Sequence, residues 1–240
     1  MNAMAGHPGY TFAYQPIVDV KLKVVCSFEA LVRGPNNEPS AWVLNQFSGA
    51  ALREFDTQAR LHAITLAKQL GLRCQINLNL LPEGDDGSPG TSLDATLEMA
   101  AACGLNANRL VLEISEKESI TDFTRFAAHV ERCRSVGVQF AIDDFGAGHS
   151  GLNLLAQFQP ESIKLDMVLV RDIWHRGPRQ AIVRGVSRTC EDLGIDVVAE
   201  GVETREEFEW LRGEGIYLFQ GYFFAAPAFQ ALPAVQYPHD

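Results

Sequence analysis

The sequence predicts one closed β/α barrel, and three features indicate it. Short apolar runs alternate with amphipathic stretches of helical periodicity, which is the pattern of βα units and a mainly parallel sheet. Most of these runs carry, at or near their end, a side chain that can bind a metal or a phosphate. The 240 residues match the size of one such barrel, which typically takes about 250. Every strand of a closed barrel brings its C-terminal end to one face, so we expect a single site there.

The apolar runs give eight predicted strands: Phe12–Val18, Val25–Val32, Gln75–Leu80, Leu110–Ile114, Val138–Asp144, Ser162–Leu165, Asp196–Glu200 and Ile216–Gln220. The polar residues on all but the first are, in chain order, Glu29, Asn77, Glu113, Asp143 with Asp144, Lys164, Glu200 and Gln220. One acidic residue in an apolar strand is an accident or a turn. A whole set in register indicates one site built from the ends of parallel strands.

Helices are predicted between the strands. The apolar residues of Asp122–Val136 recur at helical spacing and Gly137 suits the position after the helix. Pro178–Leu193 has proline in its first turn and glycine after its end. Thr204 with Glu207 forms a capping box that opens a helix to about Arg212. Leu81–Ser92 is predicted to be a loop on the active face. We therefore predict residues 1–9 as an N-terminal extension and 10–240 as one domain.

Composition excludes some classes of protein. The formal net charge is −10, and the sequence has no Lys/Arg cluster that could form a basic face, which argues against nucleic-acid polymers as ligands. A small phosphate ligand remains compatible if divalent metals cancel the charge. The five cysteines are odd in number and widely spaced, which favours buried reduced thiols over disulfides or zinc. The chain start lacks signal-peptide character, and the apolar stretch Ile216–Phe229 is too interrupted for a membrane helix. We expect a cytoplasmic protein.

Two segments are the most informative. Glu29 lies in the middle of an apolar strand, where a buried carboxylate must meet a cation; a local ion pair with Arg33 and a place in a site both remain open. The segment Ala141–Gly151 contains adjacent aspartates followed by glycines. Neighbouring side chains of a strand point to opposite sides, but a turn at the strand end can bring both carboxylates to one edge. An Asx turn with a flexible glycine loop is the alternative.

Three further pairs contribute weaker signals. Lys164 and Asp166 lie on one side of a strand, and Asp166 could equally pair with the lysine or cap the next helix. Glu200 ends a strand and Glu203 precedes a helix, where it could serve the helix dipole or the site. In the same way Glu113 lies within a strand and Glu116 beyond it. Taken together, the three pairs favour one functional site over separate local roles.

The donors of this site are carboxylates and one amide carbonyl. Such hard oxygen ligands favour Mg²⁺ or Mn²⁺ over Zn²⁺. The number of carboxylates exceeds what one Mg²⁺ usually takes from a protein, so we predict two ions. A two-metal site serves in-line displacement at phosphorus.

These segments resemble the EAL-domain family, phosphodiesterases that hydrolyse the bacterial second messenger cyclic di-GMP. The resemblance covers nearly the whole chain and its motifs appear in the family's order: YQPI at 14–17, EAL at 29–31 with Arg33, Asn77, Glu113, DDFG at 143–146, Lys164 with Asp166, Glu200 with Glu203, and QGYFFAAP at 220–227. The resemblance implies a modified TIM (β/α)₈ barrel with one antiparallel strand, a homodimer, and hydrolysis of cyclic di-GMP to linear 5′-pGpG. Sensory or GGDEF-type domains are common fusion partners in the family.

The resemblance also assigns roles. Glu29, Asn77, Glu113 and Asp143 would bind one metal ion, and Asp143, Asp144 and Glu200 the second. Lys164 would hold or deprotonate the attacking water; because a lysine among carboxylates has a raised pKa, we assign it to orienting the nucleophile. The residues expected to contact the dinucleotide are Gln15, Leu31 and Arg33, with Glu203 and Gln220 in secondary roles. Glu116 would tether the loop that begins with Phe145 and Gly146 and couple dimer contact to metal geometry.

The sequence departs from the family pattern at a few positions. Gly34-Pro35 follows the motif arginine, where an aromatic residue is common, and the segment from Asn36 to Arg53 is shorter than usual. Asn79 and Gly151 also differ from the usual residues. These changes concern the guanine pocket and the loop and leave the metal set intact. Two other functions remain: a cyclic di-GMP receptor or protein-interaction module without catalysis, and an enolase-type barrel with a lysine base.

Overall fold

A computed structural model describes residues 9–82, 92–118, 120, 122–148 and 150–238. Its strands are β1 (Thr11–Asp19), β2 (Val24–Arg33), β3 (Gln75–Asn79), β4 (Leu110–Ser115), β5 (Gln139–Phe145), β6 (Ser162–Leu165), β7 (Asp196–Ala199), β8 (Leu218–Phe219) and β9 (Ala228–Phe229). Each of the eight predicted strands is present, with β8 shorter than expected. Only β9 had no counterpart in the prediction.

The first eight strands close into a barrel in the order β2, β3, β4, β5, β6, β7, β8, β1, with β1 paired to β2 again. The pairs from β2–β3 to β7–β8 are parallel. β1 runs antiparallel to both neighbours, β2 and β8. The predicted barrel with one antiparallel strand is therefore confirmed.

The outer side of β1 is covered without a dedicated barrel helix. All nine of its residues are buried, and the Tyr14 hydroxyl donates to the carbonyl oxygen of Ala63 in a neighbouring helix at 2.7 Å. β9 pairs antiparallel with β1 at Ala13 and Tyr14. The segment that follows β9 packs Leu232, Val235 and Tyr237 against the core. The hairpin connection leaves no crossover helix between β1 and β2, and β1 instead contacts the helix that contains Ala63 and the strand β9.

The helices are α1 (Ser40–Leu44), α2 (Gly49–Gln69), α3 (Ser92–Ala102), α4 (Phe123–Ser135), α5 (Gly151–Gln157), α6 (Met167–Val170), α7 (Gly177–Leu193) and α8 (Arg205–Gly213), with 3₁₀ turns at Ala107–Arg109 and Ile173–His175. Asp122 caps α4 by accepting from the Arg125 amide at 3.0 Å. Gly194 ends α7 with a φ of 71°, and the Thr204–Glu207 capping box opens α8. The three predicted helices are confirmed within a residue at either end.

The predicted loop, the cysteines and the membrane-helix expectation remain to be compared with the structure. The predicted loop Leu81–Ser92 lies largely outside the described residues, and its last residue begins α3. All five cysteines are free thiols, but only Cys133 and Cys190 are buried; the other three are partly exposed. None of the helices in the described part of the chain combines the length and apolarity that crossing a bilayer requires.

Candidate active site

The floor of the site is a set of polar side chains inside the barrel, near the carboxyl ends of the parallel strands. Glu29 pairs in register with Asn77 across β2 and β3, and Glu113 follows on β4. These three residues are buried, as is Lys164 on β6. Inward-facing positions on neighbouring strands meet in layers. Strand register therefore brings together residues that are far apart in the sequence.

Lys164 is the centre of this set. Its Nζ lies 3.2 Å from Glu29 Oε2, 2.8 Å from Glu113 Oε1, 3.0 Å from Asp143 Oδ1 and 2.8 Å from Glu200 Oε1. Burial acts to lower the pKa of this ammonium, but the four carboxylates outweigh it and hold the pKa well above its ordinary value. Lys164 is therefore a permanent cation at neutral pH. The buried carboxylate of Glu29 is therefore paired with Lys164 and not with Arg33.

The carboxylates around Lys164 outnumber it, and burial raises the pKa of two of them, Glu113 and Glu200. Burial is the main cause of a pKa of about 8 at Glu113, with Lys164 acting against it and Glu29 and Asp143 adding to it. The pKa of Glu200 is raised well above its ordinary value for the same main reason. A site with this excess of negative charge takes up protons or cations to become neutral.

The adjacent aspartates reach the same edge through a local break in β5. Pairing with β6 shifts register between Ile142 and Phe145, and Asp144 has a φ of 55°, in the left-handed region. A non-glycine residue adopts this conformation only where the surroundings hold it there. The turn brings both carboxylates to one edge, as expected, and there they lie close to Glu200.

The oxygens of these residues form two clusters that share one member. Oxygen atoms of Glu29, Glu113 and Asp143 lie within 4.8 Å of one another, and so do those of Asp143, Asp144 and Glu200. Asn77 Nδ2 donates to Glu113 Oε1 at 2.8 Å. That leaves Asn77 Oδ1 and Glu113 Oε2 buried without a hydrogen-bond partner in the described structure. Unpartnered buried oxygens beside carboxylates fit a hard divalent cation.

Gln220 and Gln15 extend the floor from β8 and β1. The Gln220 amide donates to Glu29 Oε2 at 2.6 Å and to Gln15 Oε1 at 3.3 Å. Gln15 in turn donates to the Ala225 carbonyl oxygen at 3.1 Å. The structure thus places Gln220 against a candidate metal ligand, where it fixes the orientation of the Glu29 carboxylate.

The glycine loop after β5 is held by a single carboxylate. Glu116 accepts from the backbone amides of Gly146 at 2.7 Å, Gly148 at 3.1 Å and Gly151 at 2.6 Å. A Cβ at Gly151 would lie 2.9 Å from the Glu116 Oε1 and from the Phe145 ring. A side chain at this position would therefore crowd Glu116 and Phe145, and glycine, a departure from the family pattern, avoids these contacts.

A cavity of about 740 Å³ opens above the floor. Its lining includes Gln15, Leu31, Leu44, Tyr222 and the carboxylates Asp143, Asp144 and Glu200. The cavity thus joins an apolar compartment to the acidic clusters.

Of two further predicted contact residues, Glu203 lies in the lining of this cavity and Arg33 does not. Arg33 is half-buried and donates to the Val32 carbonyl oxygen at 2.8 Å; burial lowers the pKa of its guanidinium below the usual value. Glu203 is part of the lining but its side chain is 43% exposed and pairs with Arg171 at 2.6 Å. Asp166 accepts a hydrogen bond from the Val168 amide at 2.6 Å. Of its two alternatives, pairing with Lys164 or capping the next helix, the structure therefore shows the cap of α6.

Sequence reasoning missed other residues of the site. Lys117 Nζ lies 2.9 Å from Asp144 Oδ2, and Ser115 Oγ lies 3.4 Å from the same oxygen. Asp56 and Arg60 of α2 form a buried ion pair on the cavity wall, and Arg60 Nη1 donates to the Asn79 carbonyl oxygen at 3.2 Å. The i, i+4 spacing of Asp56 and Arg60 on an otherwise apolar helix face was an available signal. Lys117 gave none, because its role depends on β4–β5 pairing.

Known proteins show the same fold. A structure of a standalone versatile EAL protein from Vibrio cholerae, in its cyclic di-GMP-bound form, is 40% identical, with a TM-score of 0.89 over 95% of this chain and 96% of that one. A manganese and cyclic di-GMP complex of BlrP1 from Klebsiella pneumoniae is 43% identical, with a TM-score of 0.86 over 95% of this chain and 58% of that one.

Curated relatives are longer than this chain. The antirepressor BluF of Escherichia coli is 36% identical over 95% of this chain and 56% of its own length. A cyclic di-GMP phosphodiesterase of Pseudomonas aeruginosa is 28% identical over 94% and 40% respectively. The chain thus spans about half the length of these curated relatives. A family model of the EAL domain matches residues 5–227. On this match, and with the barrel and motif residues described above, the chain belongs to the EAL domain family.

Proposed function

We propose that this chain hydrolyses cyclic di-GMP to linear 5′-pGpG with the help of two divalent cations, Mg²⁺ or Mn²⁺. The observation that carries the proposal is the shared carboxylate Asp143, which belongs to two oxygen clusters beside a buried lysine. A shared ligand is what a pair of closely spaced metal ions requires. Relatives support the substrate, since one is named as a cyclic di-GMP phosphodiesterase and two solved structures contain cyclic di-GMP.

The two clusters divide the metal ligands between them. Glu29, Asn77, Glu113 and Asp143 would hold the first ion, and Asp143, Asp144 and Glu200 the second. Bound there, the ions would supply an activated water at neutral pH and neutralise negative charge at phosphorus. Solved relatives carry manganese or calcium together with cyclic di-GMP.

Lys164 would act as a hydrogen-bond donor. Its ammonium, which contacts four of the carboxylates, would orient the attacking water and stabilise the negative charge that develops on the phosphoryl oxygens. Water adds to phosphorus, the P–O3′ bond breaks, and the departing oxygen takes a proton to become the free 3′-hydroxyl. Gln220 keeps Glu29 in position through its 2.6 Å hydrogen bond.

The cavity would hold the dinucleotide. Gln15 and Leu31 line it, and Arg33 would turn its guanidinium from the Val32 carbonyl to a phosphate oxygen, for which its fork geometry is suited. Glu203 would contribute at the margin. The area around the Glu116 anchor and the loop at Phe145 and Gly146 would transmit contact with a second copy of the chain to Asp143 and Asp144. A sensory or GGDEF-type domain would be a regulatory partner.

A second function has a specific observation in its favour. BluF, at 36% identity, is named as an antirepressor, and a BlrP1 structure contains cyclic di-GMP without metal ions. A receptor or protein-interaction module would therefore bind cyclic di-GMP and leave it intact. All the candidate metal ligands and the lysine are present here, which favours the enzyme.

The two functions separate in one experiment. The purified chain is incubated with cyclic di-GMP in Mg²⁺, in Mn²⁺ and in excess chelator, and the nucleotides are separated by chromatography. The enzyme predicts 5′-pGpG only in the presence of metal, and no product from a Glu29→Gln variant. Intact substrate under all conditions, with binding seen by calorimetry, would establish the receptor and refute the hydrolase.

A further inference from the structure

Lys117 is a cation that the backbone places beside the second oxygen cluster. Ser115 pairs in register with Asp143, and the Glu116 amide donates to the Asp143 carbonyl oxygen at 2.9 Å. The chain then turns, with the Glu118 amide donating to the Ser115 carbonyl oxygen at 3.0 Å. This turn follows directly on the β4–β5 ladder, so it fixes the Lys117 backbone next to Asp144.

The lysine makes an ion pair that is open to solvent. Its Nζ lies 2.9 Å from Asp144 Oδ2, with 56% of the lysine side chain and 34% of the aspartate side chain exposed. Lys164, in contrast, is 1% exposed and contacts four carboxylates. An exposed pair of this kind is weak, and either partner can exchange it for another ion. Another cation can therefore displace Lys117 from Asp144, whereas Lys164 is held in place by its four carboxylate contacts.

We propose that Lys117 is an internal competitor for the second divalent cation, because its ammonium occupies the Asp144 carboxylate that this cation needs. The inference rests on the proposed two-ion site. A cation that binds to Asp143, Asp144 and Glu200 must displace Lys117 from Asp144 and tolerate its positive charge nearby. The first cluster does not include Asp144 and shares only Asp143 with the second, so its affinity depends less on this lysine. The second ion therefore binds more weakly in this chain than its carboxylates alone allow.

The consequence is a site whose occupancy follows metal concentration in two steps. Loss of one exposed ion pair and of the repulsion between the ammonium and a divalent ion corresponds to a roughly three- to tenfold change in affinity. Both effects are electrostatic and partly exposed, so added salt weakens them. At limiting metal the chain would hold the first ion and retain Lys117 at Asp144. Only at higher metal would the second cluster fill.

The test is a Mn²⁺ titration of the metal-stripped full chain, in which free Mn²⁺ is followed by its electron paramagnetic resonance signal. Lys117→Gln is expected to tighten the weaker of two sites about three- to tenfold at low salt, with a smaller change at the tighter site. Lys117→Arg keeps the charge and is expected to behave as the unmodified chain. Lys68→Gln removes the same charge from an exposed position near the end of α2 and is expected to change neither site.

A double-variant comparison isolates the contact. In an Asp144→Asn background, the Lys117→Gln change is expected to have no further effect on Mn²⁺ binding. If both proteins bind two Mn²⁺ ions and the dissociation constant of the weaker site is the same in the unmodified chain and in Lys117→Gln, the inference is overturned. The two-ion proposal would then still stand. Equal tightening in the Asp144→Asn background would also overturn it, since the effect would then be one of net charge. No Mn²⁺ binding to the unmodified chain would refute the two-ion site itself.

Discussion

Protonation of Glu113 makes the stability of the metal-free protein depend on pH. Its pKa in the folded chain is about 8, against an ordinary value of 4.5. Between these values the folded protein binds more protons than the unfolded chain, so the free energy of unfolding falls as pH rises through this window. At 1.36 kcal/mol per pH unit, the loss is about 3 kcal/mol at pH 7 and about 5 kcal/mol above pH 8. Glu200 adds a loss of the same sign.

The assay is urea unfolding in excess chelator from pH 5 to pH 9. Glu113→Gln removes the ionisable group and can still accept the hydrogen bond from Asn77. Between pH 5 and pH 9 the unmodified chain should therefore lose about 4 kcal/mol of unfolding free energy relative to this variant. Glu131→Gln is the matched control, because that side chain is 71% exposed. Addition of Mn²⁺ at pH 8 should raise the free energy of unfolding of the unmodified chain but not that of Glu113→Gln. A pH-independent difference between the unmodified chain and Glu113→Gln would refute the reasoning.

Three further predictions concern single residues. Lys164→Ala should lower the rate of 5′-pGpG formation by at least about 100-fold while cyclic di-GMP binding persists, since the donor to the reacting phosphate is lost; full activity would exclude the assignment. Glu116→Ala should speed hydrogen exchange at the three loop amides and lower activity with unchanged circular dichroism; unaltered kinetics at matched dimer content would count against the coupling. Gly221→Ala places a Cβ 2.0 Å from the Val202 carbonyl oxygen and should lower Tm by at least about 6 °C. Gly185→Ala, whose Cβ would have nothing within 4 Å, should leave Tm unchanged. Equal Tm values for the two variants would show that the backbone at Gly221 moves to accept the methyl group.

The parts of the fold that follow from periodicity could be predicted. Strands with polar ends were recognisable because a closed barrel forces the ends of parallel strands to one face. Helix limits at Asp122, Gly194 and Thr204 were recognisable because caps have local sequence signals. Glu113 and Lys164 were placed in the site for the same reason, although neither is unusual alone.

The rest depends on contacts between distant segments. The left-handed backbone of Asp144 is set by the register shift against β6, which no local pattern announces. β9 is a two-residue strand that pairs with Ala13 and Tyr14 of β1, on the part of β1 that extends beyond its short pairing with β8. The Asp56–Arg60 pair is buried because α2 packs beside the cavity. Lys117 was within a segment of interest, but only strand pairing directs it to Asp144.

The direction of β1 decides from which side a preceding segment would approach the barrel. Thr11 pairs with Arg33 at the carboxyl end of β2, so β1 begins on the face of the barrel that carries the cavity and runs away from it. In an all-parallel barrel the first strand would enter from the opposite, stabilising face. A domain attached ahead of Gly9 would therefore be tethered on the side of the barrel where the cavity has its entrance. Its movements could open or obstruct that entrance directly, with no signal carried through the packed interior.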